Sequence, residues 1–409
     1  MKKITDNRPP FSMLEGKTPE ELFGNLSTPC YVIDETMLRK NGEILASVIK
    51  NTGCKILLAQ KAFSNYDFYP MLSEYLSGTE ASGLFEARLG AEKMPEKEVH
   101  VFCAAYRSEE FDELLNYADH IVFNSPGQLR KFGAKAKHSG KSIGLRINPE
   151  CSTQKEHEIY DPCAPGSRLG TTRTQWDNEI DTETANLLDG LHFHTLCEQN
   201  SDALRKTLDA VNEKFGDILP KMKWLNMGGG HHITRSDYYI SLLEQCIEEA
   251  KKKWKLEVYL EPGEACALNS GYLVSRVLDI VQNGNYRIAI LDVSAACHMP
   301  DVIEMPYTPP IYNAESIDTK DNINTLPFLY RLAGPTCLAG DIIGDYKFPH
   351  ELHEGDILIF GDMAIYSTCK NNTFNGMPLP NIWKKSSDGQ IIKLTDFDYS
   401  DFKMRLGSR

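Results

Sequence analysis

A lysine and a glutamate in this sequence stand where carbonyl chemistry would need them. Lys61 follows the apolar run CKILLAQ, and Glu261 follows EVYL. A lysine with low-dielectric walls behind it loses its proton more easily and acts as an amine nucleophile, whose natural product is a Schiff base. A carboxylate beside it can keep the nitrogen of a bound pyridine ring protonated and so strengthen the ring as an electron sink. Taken singly, each also fits an ordinary surface lysine or a turn carboxylate.

Two histidines form a second group of candidate functional residues. His192 and His194 are two residues apart and therefore lie on one face of a strand. They are either a metal pair or one buried and one stacking imidazole. A metal pair of this spacing needs further His and Asp ligands, and this one lies on the sixth strand rather than the first, where metal-dependent hydrolases carry it. We therefore predict no metal.

A glycine triplet and a cysteine complete the set. Gly228, Gly229 and Gly230 follow WLNM, and their amides can approach an anion closely. Cys337 lies in Gly-Pro-Thr-Cys, a turn that either exposes a thiol beside a ligand or buries a small apolar side chain. His231 and His232 follow the triplet and either line the site or belong to a polar loop.

Eight short apolar runs would position these side chains, and helix-period segments lie between them. The runs are Cys54–Lys61, Gly78–Gly83, Glu98–Ala104, His120–Ser125, Ser142–Pro149, Gly190–Leu196, Trp224–Gly230 and Glu257–Gly263. This alternation predicts βα units and an α/β fold, a (β/α)₈ TIM-like barrel. The carboxyl ends of the strands would collect the chemistry on one face. That face would hold Lys61, Ser82, Asn124, Asn148, His194, Gly228, Gly229, Gly230 and Glu261.

The domain prediction is a barrel over residues 37–284 and a C-terminal, β-barrel-like domain built from 285–409 together with 1–36. After residue 285 the sequence changes to short strands bounded by Gly, Asp and Pro. The N-terminal STPCYVIDE either starts the barrel or pairs into the β domain. The long insertion at 150–189 is expected to form a loop over the barrel mouth.

Composition limits the partners and the compartment. Lys and Arg number 44 against 57 Asp and Glu, so the net charge of −13 argues against nucleic acid and favours cationic or small neutral partners. No run approaches the ~18 apolar residues of a membrane span. Eleven cysteines form no CxxC pair, which favours free thiols and the cytoplasm.

The order of these motifs resembles that of the fold-type III pyridoxal-phosphate decarboxylases, a superfamily that includes alanine racemases and ornithine and diaminopimelate decarboxylases. The resemblance covers nearly the whole chain. Within this superfamily the sequence is most similar to the carboxynorspermidine/carboxyspermidine decarboxylases. The phrases that carry this similarity are IYDPCAPGSRLG, LHFHTLCE, MGGGHHIT, EPGEA, LDVSAACHMPDVIEMPY and GPTCLAGD.

The resemblance implies a role for each matching residue. Lys61 would hold pyridoxal phosphate, His194 would stack on its ring and Glu261 would pair with the pyridine nitrogen. Gly228, Gly229, Gly230 and Tyr366 would bind the phosphate. Cys337 would protonate the product carbon. In the related decarboxylases the segment that carries this cysteine comes from the partner subunit, so a homodimer with shared sites is implied.

The substrate prediction rests on a departure from the ornithine and diaminopimelate enzymes. Glu264 stands where they usually have an arginine that helps hold phosphate, and Cys197 stands where a serine follows the stacking histidine. A carboxylate there suits an extra ammonium of a carboxylated polyamine. Asp301 is the second residue that we favour for this role. The remaining substrate candidates are Asp292, His298, Glu304 and Asp341, with Arg173 a weaker one.

The predicted function is decarboxylation of carboxynorspermidine or carboxyspermidine in polyamine biosynthesis. The alternatives are diaminopimelate decarboxylase and a catalytically silent, cofactor-binding regulator of the same fold. The silent homologue is disfavoured because the chain has both Lys61 and Cys337.

Overall fold

The computed structural model of the chain describes residues 11–408, except 13, 15, 155–159 and 318–326. Its strands, in chain order, are β1 Cys30–Asp34, β2 Lys55–Ala59, β3 Gly78–Ala81, β4 Glu98–Phe102, β5 His120–Phe123, β6 Ser142–Arg146, β7 Gly190–His192, β8 Trp224–Asn226, β9 Glu257–Leu260, β10 Gly271–Asn283, β11 Tyr286–Leu291, β12 Glu315–Ser316, β13 Leu329–Ala333, β14 Ile342–Lys347, β15 Ile357–Phe360, β16 Asn381–Lys385 and β17 Ile391–Thr395.

The α-helices range from single turns to five turns. They are α1 Pro19–Phe23, α2 Glu35–Thr52, α3 Tyr69–Leu72, α4 Leu84–Lys93, α5 Ser108–Leu114, α6 Pro126–His138, α7 Arg173–Glu179, α8 Thr182–Ala185, α9 Ser201–Phe215, α10 Ile240–Trp254, α11 Glu264–Ala267, α12 Ala295–His298, α13 Asp301–Glu304, α14 Ser367–Lys370 and α15 Tyr399–Met404. Among the described residues, no helix is both long and apolar enough to cross a membrane.

The chain divides into two compact units. Within the described residues, the first spans 39–266 and the second combines the segment up to Leu38 with the segment from Ala267 onward. The sequence placed these divisions at 37 and 284. The later division differs because β10 pairs with β1, β11 and β15, which all belong to the second unit.

The first unit is the predicted barrel. Strands β2 to β9 form a closed parallel barrel in chain order, and β9 pairs with β2. The (β/α)₈ prediction is confirmed. Each strand ends earlier than the end of the apolar run that predicted it. The expected site residues therefore lie in the loops that follow the strands. Lys61 lies two residues beyond β2, and Glu261 comes directly after β9.

A single indole packs against several strands of the barrel. The side chain of Trp224 packs with Leu57, Val122 and Tyr259 in a buried cluster. A Cβ added to Gly190 on the neighbouring strand would lie 2.0 Å from the Trp224 ring. Glycine is therefore required at this position because the indole occupies the place of a side chain.

Helix α6 shows how the outer layer forms. Pro126 occupies the first helical position, and the Ser125 hydroxyl accepts a hydrogen bond from the Gln128 amide, which fixes the start of the helix. Its buried residues include Leu129 and Phe132, which recur at helical spacing. This stripe faces the sheet and the opposite face meets solvent.

The second unit contains a mixed sheet with the strand order β12-β14-β13-β11-β10-β1-β16-β17, and β15 also pairs with β10. We predicted a β-barrel-like domain, whereas this strand path has two ends, at β12 and β17. Strand β1 lies between β10, which is antiparallel to it, and β16, which is parallel. STPCYVIDE therefore contributes its strand to the β domain and not to the barrel.

Candidate active site

Lys61 points its amine at a buried carboxylate. Its Nζ lies 3.0 Å from Oε2 of Glu80, whose side chain is 2% exposed. Burial would lower the pKa of Lys61, but the carboxylates of Glu80 and Glu261 outweigh burial and raise it. Burial raises the pKa of Glu80 despite the nearby Lys61. Glu80 is therefore the natural acceptor for the proton that Lys61 must lose before its amine can attack a carbonyl.

Glu261 is held at both carboxylate oxygens. Oε2 lies 3.0 Å from Nε2 of His192, and Oε1 accepts a hydrogen bond from Nδ2 of Asn226 at 2.5 Å. Burial alone would raise the pKa of Glu261, but His192 and Lys61 outweigh it and lower the pKa below its usual range. Glu261 is thus a fixed, buried negative charge facing the same space as Lys61.

His194 is oriented by the backbone of the glycine triplet. The Gly229 amide donates to Nδ1 of His194 at 2.9 Å, so the ring proton of the neutral imidazole lies on Nε2. Burial, together with Lys61 and Arg146, lowers the pKa of His194 well below its usual value. His192 and His194 therefore have different contacts, one with Glu261 and one with the triplet, and the stacking role of His194 stays a prediction.

The triplet uses its amides differently from the predicted anion cradle. The Gly228 amide donates to Oδ1 of Asn226 at 2.9 Å, and the Gly229 amide donates to His194. Of the three, only the Gly230 amide makes no hydrogen bond within the described chain. The first two glycines thus shape the loop, and at most the third is left to meet an anion.

Replacing Gly228 with alanine is expected to destabilise the protein by about 3 to 5 kcal/mol. Gly228 has φ +69°, and an added Cβ would lie 2.3 Å from the Phe193 carbonyl oxygen. Denaturant unfolding measures this loss. Gly127→Ala is the matched control, because Gly127 is exposed near the start of α6 and its nearest contact for a Cβ is 3.9 Å away. Equal stability of Gly228→Ala and Gly127→Ala would contradict the packing argument.

A cavity of about 690 Å³ opens over these groups. Its lining includes Lys61, Glu80, Arg146, His192, His194 and Glu261, together with Ser82, Phe102–Ala104 and the residues of the segment 160–169 other than Cys163. That segment belongs to the insertion that we expected over the barrel mouth, and it lines the cavity. Residues 155–159 of the insertion lie outside the described residues.

The comparisons with known proteins agree with this geometry. A family model described as "Pyridoxal-dependent decarboxylase, C-terminal sheet domain" matches residues 30–364. The carboxynorspermidine/carboxyspermidine decarboxylase of Campylobacter jejuni is 42% identical over 94% of this chain and 99% of its own. The chain belongs to the pyridoxal-dependent decarboxylase family.

Further relatives of this family show how close the likeness is. The carboxyaminopropylagmatine decarboxylase of Synechocystis is 38% identical over 94% of this chain and 97% of its own. The crystal structure of the Campylobacter jejuni carboxynorspermidine decarboxylase complexed with norspermidine has a TM-score of 0.85 at 41% identity, covering 93% of this chain and all of that one. A diaminopimelate decarboxylase of Buchnera aphidicola is only 26% identical over 91% of this chain and 93% of its own. The family predicted from the sequence is confirmed.

Two cavity residues of this decarboxylase were missed by the sequence analysis. Glu80 lies in GTEAS, a segment whose sequence fits a turn as well as a strand. Arg146 is buried on β6, donates to the His194 carbonyl at 3.0 Å and lies 4.6 Å from the Phe102 ring centre. Burial lowers the pKa of Arg146 to about 10. A charged residue inside an apolar strand run was the available signal, because such a residue must face the barrel interior.

Asn124, Asn148 and Arg173 serve the loops and the surface. Asn124 donates to the Arg168 carbonyl and accepts from the Gly170 amide, both at 2.8 Å. Asn148 accepts from the Glu150 amide. Arg173 pairs with Asp177 and Asp217. The structure gives Arg173 a structural contact and no place in the cavity lining among the described residues.

Glu264 begins α11 and turns toward His232. Its Oε2 lies 3.8 Å from Nε2 of His232, and it is not among the described residues that line the cavity. His231 and His232 are buried next to the triplet. The prediction that Glu264 faces a substrate therefore has no direct support from the barrel cavity.

The other predicted residues lie in the second unit. Cys337 is exposed, and its amide donates to Asn375. Tyr366 precedes α14 with φ 56°. Asp301 and Glu304 both contact the Lys370 ammonium.

Asp292, His298 and Asp341 are engaged within the second unit. Asp292 accepts from the Ser275 hydroxyl, and Asp341 accepts from the Ala295 amide and the Thr336 hydroxyl. His298 lies between the Ser294 amide and the Pro378 carbonyl. These contacts hold the three side chains within the second unit, and their role as substrate ligands stays a prediction.

Metal-type side chains meet at a different place. Glu98, His100 and His120 bring their ligand atoms within 4.8 Å of one another, the one such group among the described residues. They lie at or near the amino ends of β4 and β5, and the Lys55 ammonium already contacts Glu98.

Buried neutral histidines predict an acid-sensitive fold. Burial lowers the pKa of His120 to about 3 and those of His231, His232 and His298 to about 4. An unfolded histidine has a pKa near ~6.5, so the unfolded chain binds more protons as pH falls below that value. The stabilising contribution of these neutral histidines is therefore full above pH ~6.5 and is lost as the pH falls toward ~4.

At pH ~5 each of these histidines is expected to cost about 2 kcal/mol of stability. Urea unfolding at pH 7, 6 and 5 checks the loss. His232→Gln should lessen the loss between pH 7 and 5 by about one such step, and identical stability at the three pH values would contradict the argument.

Proposed function

We propose that this chain is a pyridoxal-phosphate-dependent decarboxylase that converts carboxynorspermidine or carboxyspermidine to norspermidine or spermidine. The observation that carries the proposal is the 42% identity to a carboxynorspermidine/carboxyspermidine decarboxylase over nearly the full length of both chains. The 38% identity to a carboxyaminopropylagmatine decarboxylase supports a second candidate, the same reaction on a guanidine-bearing relative of that substrate. In both cases the substrate is an amino acid with a cationic arm.

The barrel residues fit the cofactor. The cavity of about 690 Å³ holds a lysine amine, a buried carboxylate and a neutral imidazole that face one space. When bound, pyridoxal phosphate draws electrons from the bonds at the carbon next to the substrate nitrogen, which allows carbon dioxide to leave. Lys61 is the residue that would hold it, Glu261 would face its ring nitrogen and His194 its ring face.

The residues of the chain then have distinct tasks. Lys61 would pass its proton to Glu80 and free its amine for attack. Glu261, fixed by His192 and Asn226, would supply a negative charge that cannot swing away. His194 would give a flat, uncharged surface, because burial and the nearby Lys61 and Arg146 lower its pKa and keep it neutral.

The phosphate site and the proton donor are also parts of this proposal. We assign the phosphate to the Gly230 amide and Tyr366, with Gly228 and Gly229 shaping the loop. Cys337 would donate the proton to the product carbon, and its exposure supports delivery to a site shared with a partner in a homodimer. Glu264, Asp301 and Glu304 would act on the cationic arm. All eleven cysteines lie in described residues as free thiols, which supports a cytoplasmic enzyme.

The deciding experiment is carbon dioxide release by the purified chain loaded with pyridoxal phosphate. Carboxynorspermidine, carboxyspermidine, carboxyaminopropylagmatine and meso-diaminopimelate are compared at equal concentration. We expect turnover of at least one of the first two and little of the last. Turnover of diaminopimelate alone would replace the proposal with the lysine-forming reaction, and cofactor binding without any turnover would favour the silent regulator.

A further inference from the structure

Among the described residues that line the barrel cavity, three are carboxylates, and Asp161 is the one that no other side chain engages. Glu80 is paired with Lys61, and both oxygens of Glu261 are occupied by His192 and Asn226. Asp161 accepts the Cys163 amide at Oδ1, at 2.8 Å. Its Oδ2 contacts no hydrogen-bond donor in the described part of the chain. Asp161 is therefore the carboxylate that a ligand entering the cavity can engage without competing with a protein side chain.

The turn that carries Asp161 is held in place from two sides. The Oδ1 contact to Cys163 closes a local turn of the kind that aspartate side chains form with the amide two residues on. Further along the same segment, the side chain of Asn124, which directly follows β5, donates to the Arg168 carbonyl and accepts from the Gly170 amide. Asp161 thus lines the cavity on an anchored segment.

The charges around the cavity leave Asp161 without an ion-pair partner. Among the described residues, the lining cations are Lys61, Arg146 and Arg168. Neither arginine forms an ion pair with Asp161 in the described structure, and the proposed function removes the charge of Lys61 when its amine holds the cofactor. In that step Glu80 takes up the proton of Lys61 and becomes neutral, so Glu261 and Asp161 then face the two arginines, and Asp161 has no ion-pair partner in the described part of the chain.

We propose that Asp161 binds an ammonium group on the arm of the substrate. This inference rests on the proposed function, in which the substrate carries a secondary and a primary ammonium beyond its amino-acid end. A carboxylate that accepts a charged N–H forms a stronger hydrogen bond than a neutral pair does. Asp161 is then a residue that determines specificity for the cationic arm and takes no part in bond breaking.

Two substitutions separate this role from that of the turn. Asp161→Asn keeps an oxygen that can accept the Cys163 amide but removes the charge, whereas Asp161→Ala removes both. Asp209→Asn is the matched control, because Asp209 is exposed on α9 and does not line the cavity.

We expect Asp161→Asn to raise the KM for carboxynorspermidine about tenfold and the inhibition constant of norspermidine to a similar extent. The kcat should stay within about twofold, because the ammonium is bound equally in the ground and transition states. Cofactor absorbance should not change, and Asp209→Asn should match the wild type. High salt should reduce the difference between Asp161→Asn and the wild type.

Unchanged KM and inhibition constant in Asp161→Asn, with a defect only in Asp161→Ala, would overturn the proposal and leave a turn-forming aspartate. A fall in kcat or in cofactor binding without a change in KM would overturn it as well. If the wild type decarboxylates none of the polyamine substrates, the proposed function fails. Calorimetric binding of norspermidine to the wild type and to Asp161→Asn then decides the Asp161 inference by itself, with weaker binding by the variant supporting it and equal or absent binding overturning it.

Discussion

Lys61→Ala is expected to lower decarboxylation by about a thousandfold or more, because the variant has no amine at the position where the cofactor would be held. Glu80 then faces the cavity without its partner. Since burial already raises the pKa of Glu80, it can take up a proton in place of the lost ion pair, and the barrel should remain folded. The measurement is carbon dioxide release with saturating pyridoxal phosphate.

Three controls sharpen the Lys61 prediction. Lys206→Ala removes an exposed lysine from α9 and should keep full activity. Borohydride treatment of the wild type should fix the cofactor on the peptide that contains Lys61 and leave Lys61→Ala unlabelled. Added methylamine should restore part of the activity of the variant. Retention of more than about a tenth of the wild-type rate in Lys61→Ala would remove Lys61 from the proposed role.

Glu261→Gln is expected to lower kcat by a factor of about 100 to 1000, a loss typical of a preorganised charge at a reacting centre. The glutamine oxygen can still accept from Asn226. His192 can move its ring proton to Nδ1, which is buried and has no hydrogen-bond partner among the described residues, and then accept from the glutamine amide. The variant therefore keeps the shape of the site and loses only the charge.

Glu257→Gln is the control for Glu261→Gln, because Glu257 begins the same strand, β9, and is exposed at its amino end. It should leave kcat unchanged. Cofactor affinity of both variants is measured by titration, so that a low kcat can be distinguished from incomplete cofactor binding. Equal rates of Glu261→Gln and the wild type would show that the buried charge does not act in the reaction.

The barrel could be predicted because parallel strands buried on both faces appear as short apolar runs. The strand ends could not, because apolar residues continue past the last ladder hydrogen bond. Phe193 and Met227 lie just beyond β7 and β8 and are completely buried. Their burial comes from loop packing, which an apolar run does not distinguish from a strand.

The division between the units was harder to predict for a different reason. Strand β10 follows the barrel without a marked change in composition, and its partners include β1, more than 200 residues earlier. Pairing over such a distance leaves no local pattern. The same limit left the position of the N-terminal strand open.

The site was predicted in part. Lys61, His194 and Glu261 meet because the carboxyl ends of parallel barrel strands gather on one face. The sequence could not show which partner each would find. Glu80 and Arg146 reach the cavity only through closure of the barrel, and the glycine triplet gives two of its amides to Asn226 and His194.

Asn226 has a consequence for how this site can change during evolution. One end of its side-chain amide fixes the Gly228 amide and the other end fixes Glu261. An aspartate at this position would set two negative charges against each other, and a leucine would leave both partners unsatisfied. The glycine loop and the buried carboxylate are therefore coupled through Asn226. A substitution that altered one of them would require a compensating substitution at the other.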